Sequence, residues 1–221
     1  SLSSLSFVLY KDCTQCVLTV LLSSMASRRH RRVNTVYEDG WQGNPVEQRS
    51  YERKRYNETR PFTILQYSEN GHPLAIGGEI AAGNGKALSS KGISSRVCVA
   101  GRDTRWTRGV RPSEQEEIED LKDFVWNTHA KDKRKFTEIG KFVASIAREL
   151  RTRGVLVYCK EGAHRSGAAV VAIITYLTKS NWTVCEKQVC RVRRIVDISG
   201  YHGVFDAIVN KFPGLEKNDH A

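Results

Sequence analysis

Between Val155 and Leu177 the chain reads VLVYCKEGAHRSGAAVVAIITYL, with two apolar runs flanking a short polar loop. The first run, Val155 to Tyr158, is β-branched enough to predict a buried strand, and Ala168 to Leu177 is long enough for a buried helix. Other segments repeat the alternation. Phe62–Gln66 and Leu74–Ile76 predict short strands around the turn-like Ser68-Glu69-Asn70-Gly71. Residues 81–90 predict a short helix with Gly92 beyond it, and Ile93–Gly101 a buried strand. Phe124 to Asn127 reads as a further strand. Phe136, Ile139, Val143, Ile146 and Leu150 recur at helical spacing and predict one buried helix face. Gly154 closes the turn that follows. Asn181-Trp182-Thr183 predicts a turn and N-cap, Val184–Val196 a helix, and Tyr201–Phe212 a last amphipathic piece before Pro213-Gly214. Strands alternating with helices at these lengths predict an α/β domain: a mainly parallel central sheet flanked by helices on both faces. The polar loop falls at the carboxyl edge of a central strand, where such sheets bind ligands.

Three charged stretches interrupt the pattern. Arg102–Pro112 is basic and turn-rich, Glu114–Asp120 is a short acidic helix or charged loop, and His129–Lys135 is a charged loop. From Met25 to Arg60 the chain is polar and basic, with SRRHRR at 27–32 and RSYERKRYNETR at 49–60. Few aliphatics and no sustained period predict a disordered or loosely attached segment. A solubilising tail is the simplest role for it, and a nuclear-targeting or anion-binding arm the functional one. The boundaries expected are an extension over 1–60, a folded domain over 61–215 and a tail over 216–221. Leu5 to Leu22 is moderately apolar, but Lys11 and Asp12 break it, so it suits neither a membrane span nor a signal peptide. Met25 is the only methionine, and the expectation is that translation starts there.

The chain has 221 residues, 40% of them hydrophobic, which suffices for a core, and a net charge of +11. That charge implies an anionic partner: phosphorylated protein, nucleic acid or acidic lipid. The six cysteines are not spaced as a small disulfide scaffold, and Cys13 with Cys16 is too little for a zinc site. A reducing compartment, cytoplasmic or nuclear, is expected. No cofactor, metal or transmembrane anchor is called for.

The chemistry lies in CKEGAHRS. A strand, a tight loop and a helix N-terminus make an anion receptor, because the loop amides converge where the helix dipole is positive. A thiolate at Cys159 is favoured there and can act as nucleophile. Gly162 lets the loop turn its amides inward. Arg165 offers a planar fork matching two phosphate oxygens. Ser166 can hydrogen-bond the sulfur and help it leave. Lys160, Glu161, Gly162, Ala163, His164 and Arg165 form the phosphate-binding loop. A lone buried cysteine is ordinarily inert core; here the strand before it and the Arg-Ser-Gly step into an apolar helix change the reading.

This stretch resembles the C-x5-R-S/T signature of the protein tyrosine phosphatases, and their dual-specificity branch in particular. The segment LAIGGEIAAGNGKALSSKGISSRVCVA, from Leu74 to Ala100, is similar to that branch as well, so the resemblance spans about 150 residues from Phe62 to Phe212. It implies a phosphatase with Cys159 as nucleophile, a phosphocysteine intermediate and no metal, acting on phosphotyrosine in proteins, with phosphoserine and phosphothreonine as further substrates.

The chain departs from that pattern in places. The family carries a general-acid Asp about thirty residues before the cysteine; here Asn127 stands 32 before it, and an amide is no proton donor of this kind. Asp132, 27 residues before Cys159, is the carboxylate expected to replace it, with His129 as another donor and Asp123 across the strand. The residue before the cysteine is Tyr158 where the family has His, and His164 stands where members often have Ser. A single Lys160 beside Glu161 points to protein rather than phosphoinositide substrates. The alternatives are a catalytically weak phospho-binding module, a phosphatase for RNA 5′ ends or phosphoinositides, and, less well matched, a rhodanese-like sulfur carrier.

Overall fold

The computed structural model describes residues 45–65, 71–101 and 118–209. The 27–32 basic cluster, the CxxC pair, the Arg102–Pro112 loop, most of the turn at 68–71 and the segment after 209 lie outside them.

Among the described residues five strands form one sheet in the order β1-β2-β5-β3-β4, with β1 Phe62–Leu65, β2 Leu74–Gly77, β3 Ile93–Cys98, β4 Glu119–Asp120 and β5 Gly154–Tyr158. The sheet is mixed, which corrects the expectation of a mainly parallel one: β1 runs antiparallel to β2, pairing Phe62 with Gly77 and Leu65 with Leu74. β2 and β3 flank β5 in parallel, with Leu74 opposite Val155 and Val97 opposite Val157. β1 and β2 are consecutive and antiparallel, so they form a hairpin; the parallel pairings are made by crossovers.

β5 is central, and Val155, Leu156 and Val157 are fully buried, which is why its sequence is continuously apolar rather than alternating. Its side chains divide between two cores. Leu156 joins Ala75, Ala81, Ala82, Leu88, Ile93 and Ile118 under helices α2 (Glu79–Ala82) and α3 (Gly85–Ser89). Val155 and Val157 join the larger core. That core is covered by α5 (Phe136–Glu149) and α6 (Arg165–Thr178), followed by α7 (Trp182–Val192) and α8 (His202–Val209). α5 buries Phe136, Ile139, Val143 and Ile146, as their spacing predicts. Asn181 caps α7 by accepting from the Thr183 N–H at 2.9 Å.

Several elements differ from expectation. The helix expected over 81–90 is two short ones, α2 and α3, because the Asn84 side chain starts the second by accepting from the Ala87 N–H at 3.1 Å. Phe124–Asn127 is not a strand; α4 (Trp126–Ala130) begins there, since a short apolar run does not distinguish a strand from a buried helix turn. Residues 133–135 of the charged loop form a 3-10 turn. The acidic stretch contributes the two residues of β4. α7 ends at Val192 instead of 196, because the next residue, Arg193, turns into the interior. Pro45–Thr59, placed in a disordered extension by its composition, forms a helix, α1. It has no apolar stripe, so its attachment rests on polar contacts near its C-terminal end.

Trp126 is fully buried, edge-on to Phe124 and Phe142, and its indole N–H has no acceptor. Trp126→Ala should cost about 3–5 kcal/mol in denaturant unfolding. Trp126→Phe should cost less than half of that, since it keeps most contacts and removes the orphaned donor.

Candidate active site

β5 delivers Cys159 to the carboxyl edge of the sheet, where it is 2% exposed, and α6 begins six residues later at Arg165. The Cys159 Sγ lies 3.2 Å from the Ser166 Oγ. The first turn of α6 thus brings together the thiol and hydroxyl that the sequence pairs. Arg165 donates from Nη1 to the Ala100 carbonyl at 3.3 Å, which fixes its guanidinium beside the end of β3.

The loop between is held from outside. The Lys160 carbonyl accepts from the Glu79 N–H at 3.2 Å, and the Ala163 carbonyl from the Asp197 N–H at 3.4 Å. The Glu161 carbonyl accepts from Asn57 Nδ2 at 2.8 Å, and the Gly162 carbonyl from Arg193 Nε at 2.9 Å. Four successive carbonyls are therefore turned outward. In a trans peptide the following N–H points the opposite way, and the described chain has no cis bonds. The amides of Glu161, Gly162, Ala163 and His164 consequently face the side where an anion would sit, joined by the positive end of α6. Gly162 makes the curl possible: its φ is +66°, and a Cβ there would lie 2.5 Å from the Gly77 carbonyl carbon. Gly78 serves the same approach, since its own Cβ would come within 3.0 Å of the Lys160 carbonyl oxygen.

The loop side chains have distinct places. Lys160 is exposed. Glu161 pairs with Arg53 at 3.3 Å, so its charge is directed to α1. His164 donates from Nδ1 to the Asp197 carbonyl at 2.7 Å, a structural tie between the loop and the segment before α8. Tyr158 is half-buried, and burial pushes its phenol well above the ordinary range, which keeps it neutral.

Asp132, the carboxylate expected as general acid, lies at the start of the 133–135 turn. Its carboxylate caps the 133–135 turn by accepting from the Arg134 N–H, and it pairs with the Arg134 guanidinium at 3.1 Å. These bonds hold its carboxyl below the usual range, so it stays ionised at neutral pH, when an acid needs its proton. His129 donates from Nδ1 to the Val125 carbonyl at 2.8 Å and stacks on Phe124. Asn127 accepts a hydrogen bond from the Tyr201 hydroxyl. Burial pushes the Tyr201 phenol up, while Arg165 opposes and Cys159 adds to that shift, so Asn127 and Tyr201 lie within electrostatic reach of the loop.

Sequence reasoning missed Asn57, Gly78, Arg193 and Tyr201. Arg193 sits in the basic run RVRR, where nothing marks one cation as buried. Among the described residues no group of His, Cys, Asp or Glu is placed to hold a metal ion, and no helix is long and apolar enough to cross a membrane.

No protein-family model and no curated protein matches the chain. Solved structures do. One is a mouse protein described as a dual specificity phosphatase complexed with zinc tungstate, with a TM-score of 0.51, 23% identity, and 68% of this chain against 85% of that one. Human DUSP28 matches at a TM-score of 0.50 and 20% identity, over 68% of this chain and 92% of its own. A leucine rich repeat and phosphatase domain containing protein from Entamoeba histolytica matches at 0.53 and 20%, over 73% and 99%. The fold is that of the dual specificity phosphatases.

The position of Gly162 yields a direct test. Gly162→Ala forces a left-handed alanine and a clash with Gly77, and should cost at least about 2 kcal/mol of stability by denaturant unfolding.

Proposed function

We propose that the protein is a cysteine-dependent phosphatase that hydrolyses phosphotyrosine in proteins through a phosphocysteine intermediate. The observation carrying this reading is the outward restraint of the four loop carbonyls around Cys159, with Ser166 Oγ 3.2 Å from the sulfur. In the first step the Cys159 thiolate attacks phosphorus and the bond to the leaving oxygen breaks, moving the phosphoryl group onto sulfur. The amides of 161–164 and the Arg165 guanidinium stabilise the equatorial oxygens. In the second step water attacks phosphorus, releasing inorganic phosphate and the thiolate, which the Ser166 hydroxyl solvates as it departs.

Substrate class follows from the leaving group. Asn127 stands where a protonated carboxyl would be expected, and Asp132 is engaged by Arg134. A tyrosyl oxygen, whose conjugate acid has a pKa of about 10, leaves without a donated proton far more readily than a seryl or threonyl alkoxide. The same two observations favour a second reading, a phosphotyrosine receptor with little turnover. The loop carries a single Lys160 beside Glu161, which supports protein over phosphoinositide substrates.

The full chain should hydrolyse an aryl phosphate and a phosphotyrosine peptide without added metal, and Cys159→Ser should abolish this by at least about 10³-fold. Peptide binding with no turnover in either protein would establish the receptor instead. Asp132→Asn should change aryl turnover by less than about threefold, whereas a loss of about 10²–10⁴ would make Asp132 the acid. Asn127→Asp places a carboxyl at the acid's position and should raise turnover of alkyl phosphates more than that of aryl ones.

A further inference from the structure

α1 docks through its last turns. Arg193, fully buried, donates to the Gly162 carbonyl, to Asn57 Oδ1 at 2.6 Å, to the Arg60 carbonyl at 3.2 Å and to Thr63 Oγ1 at 3.3 Å. Its guanidinium also lies 5.3 Å from the Tyr56 ring centre. Asn57, 4% exposed, bonds in both directions at once, accepting from Arg193 and donating to the Glu161 carbonyl. One end of α1 thus sets two of the four carbonyls that define the loop. A cavity of about 240 Å³ lies between α1 and the loop, lined by Ser50, Lys54, Asn57, Glu79 and Lys160. Tyr51, one of the few large apolar side chains of α1, is 55% exposed. α1 has no apolar face, and among the described contacts the bonds that shape the loop and the Arg53–Glu161 pair tie it to the domain.

We propose that Asn57 and Arg193 are positioning residues that couple docking of α1 to the anion-receiving shape of the 160–163 loop, so that phosphate affinity depends on α1 and α1 docking depends on phosphate. The proposal rests on the reading of this loop as a phosphate receptor. If Asn57 releases the Glu161 carbonyl, that peptide is free to rotate, and its inward N–H is lost to the anion. Arg193 then lacks its shortest acceptor and pulls less firmly on Gly162. Linkage makes the effect reciprocal: whatever factor α1 docking adds to phosphate affinity, phosphate adds to α1 docking. Segments 45–60 and 160–163, about a hundred residues apart in sequence, then behave as one two-state element.

The test uses the full chain, with inorganic phosphate binding measured by calorimetry beside thermal unfolding and hydrogen exchange. Asn57→Ala should weaken phosphate binding about 5–10-fold, the scale of one or two buried hydrogen bonds. Arg193→Lys keeps the charge but not the fork, and should do at least as much. In the unmodified protein, saturating phosphate should slow amide exchange across 45–59, and in Asn57→Ala it should not. Arg55→Ala, which removes a charge from the exposed side of α1, should change affinity less than twofold. If Asn57→Ala and Arg193→Lys lower the melting temperature yet bind phosphate as the unmodified protein does, the two residues are merely structural and the coupling is wrong. Phosphate that binds without altering exchange in 45–59 overturns it equally. An unmodified protein that shows the coupling but never turns over an aryl phosphate sinks the enzyme reading alone; one that does not bind phosphate sinks both.

Discussion

One buried cation sets the shape of the loop. A guanidinium taken out of water costs several kcal/mol unless its donors are met, and burial, opposed by Tyr56 and Cys159, pulls the Arg193 pKa down to about 10, still protonated at neutral pH. Its acceptors come from two distant parts of the chain: the Gly162 carbonyl on one side, and Asn57, the Arg60 carbonyl and Thr63 on the other. Neither side can move without leaving the charge short of partners. The requirement that a buried charge be satisfied therefore becomes a requirement that the loop carbonyl point outward, and that its neighbouring amides point in. The same requirement explains why α7 stops at Val192: continuing the helix would carry Arg193 elsewhere.

It also moves the edge of the folded unit. Composition places residues 45–60 in a tail, because a helix whose faces are charged all round carries no signal of burial. Among the residues of α1 whose burial is described, only Asn57 is buried and only Arg53 and Tyr56 are half-buried. A polar helix can belong to a fold if what it supplies is hydrogen bonds to an exacting partner rather than apolar area, and no periodicity in the sequence reports that.

The unit around Cys159 was legible for the opposite reason. β5 and α6 are apolar on all sides, so the sequence shows them as runs, and the glycine and arginine between them have few reasons to occur in that frame together. α5 was legible through its single buried face. The hairpin that makes the sheet mixed was not, since two four-residue strands eight residues apart in the sequence give no sign of their relative direction. Trp126 misled because an apolar run of three serves a strand and a buried helix turn equally well. Arg193, Asn57 and Tyr201 were hidden because each acts through a partner more than seventy residues away, and pairings of that kind leave no local mark.

The two halves of the proposed chemistry consequently rest on different parts of the fold. Transfer of the phosphoryl group to sulfur depends on the loop amides and Arg165, a constellation fixed by Arg193, Asn57, Glu79 and Asp197 from four sides. Protonation of the leaving oxygen would depend on the segment before α5, where Asn127 is committed to Tyr201 and Asp132 to its own turn. A site strong in the first and weak in the second stabilises the charge developing on phosphorus while leaving the departing oxygen to its own acidity. Discrimination by leaving group then arises without any pocket that recognises the substrate's ring. The barrier for an aryl oxygen falls with the loop alone, and that for an alkyl oxygen stays high for want of a proton.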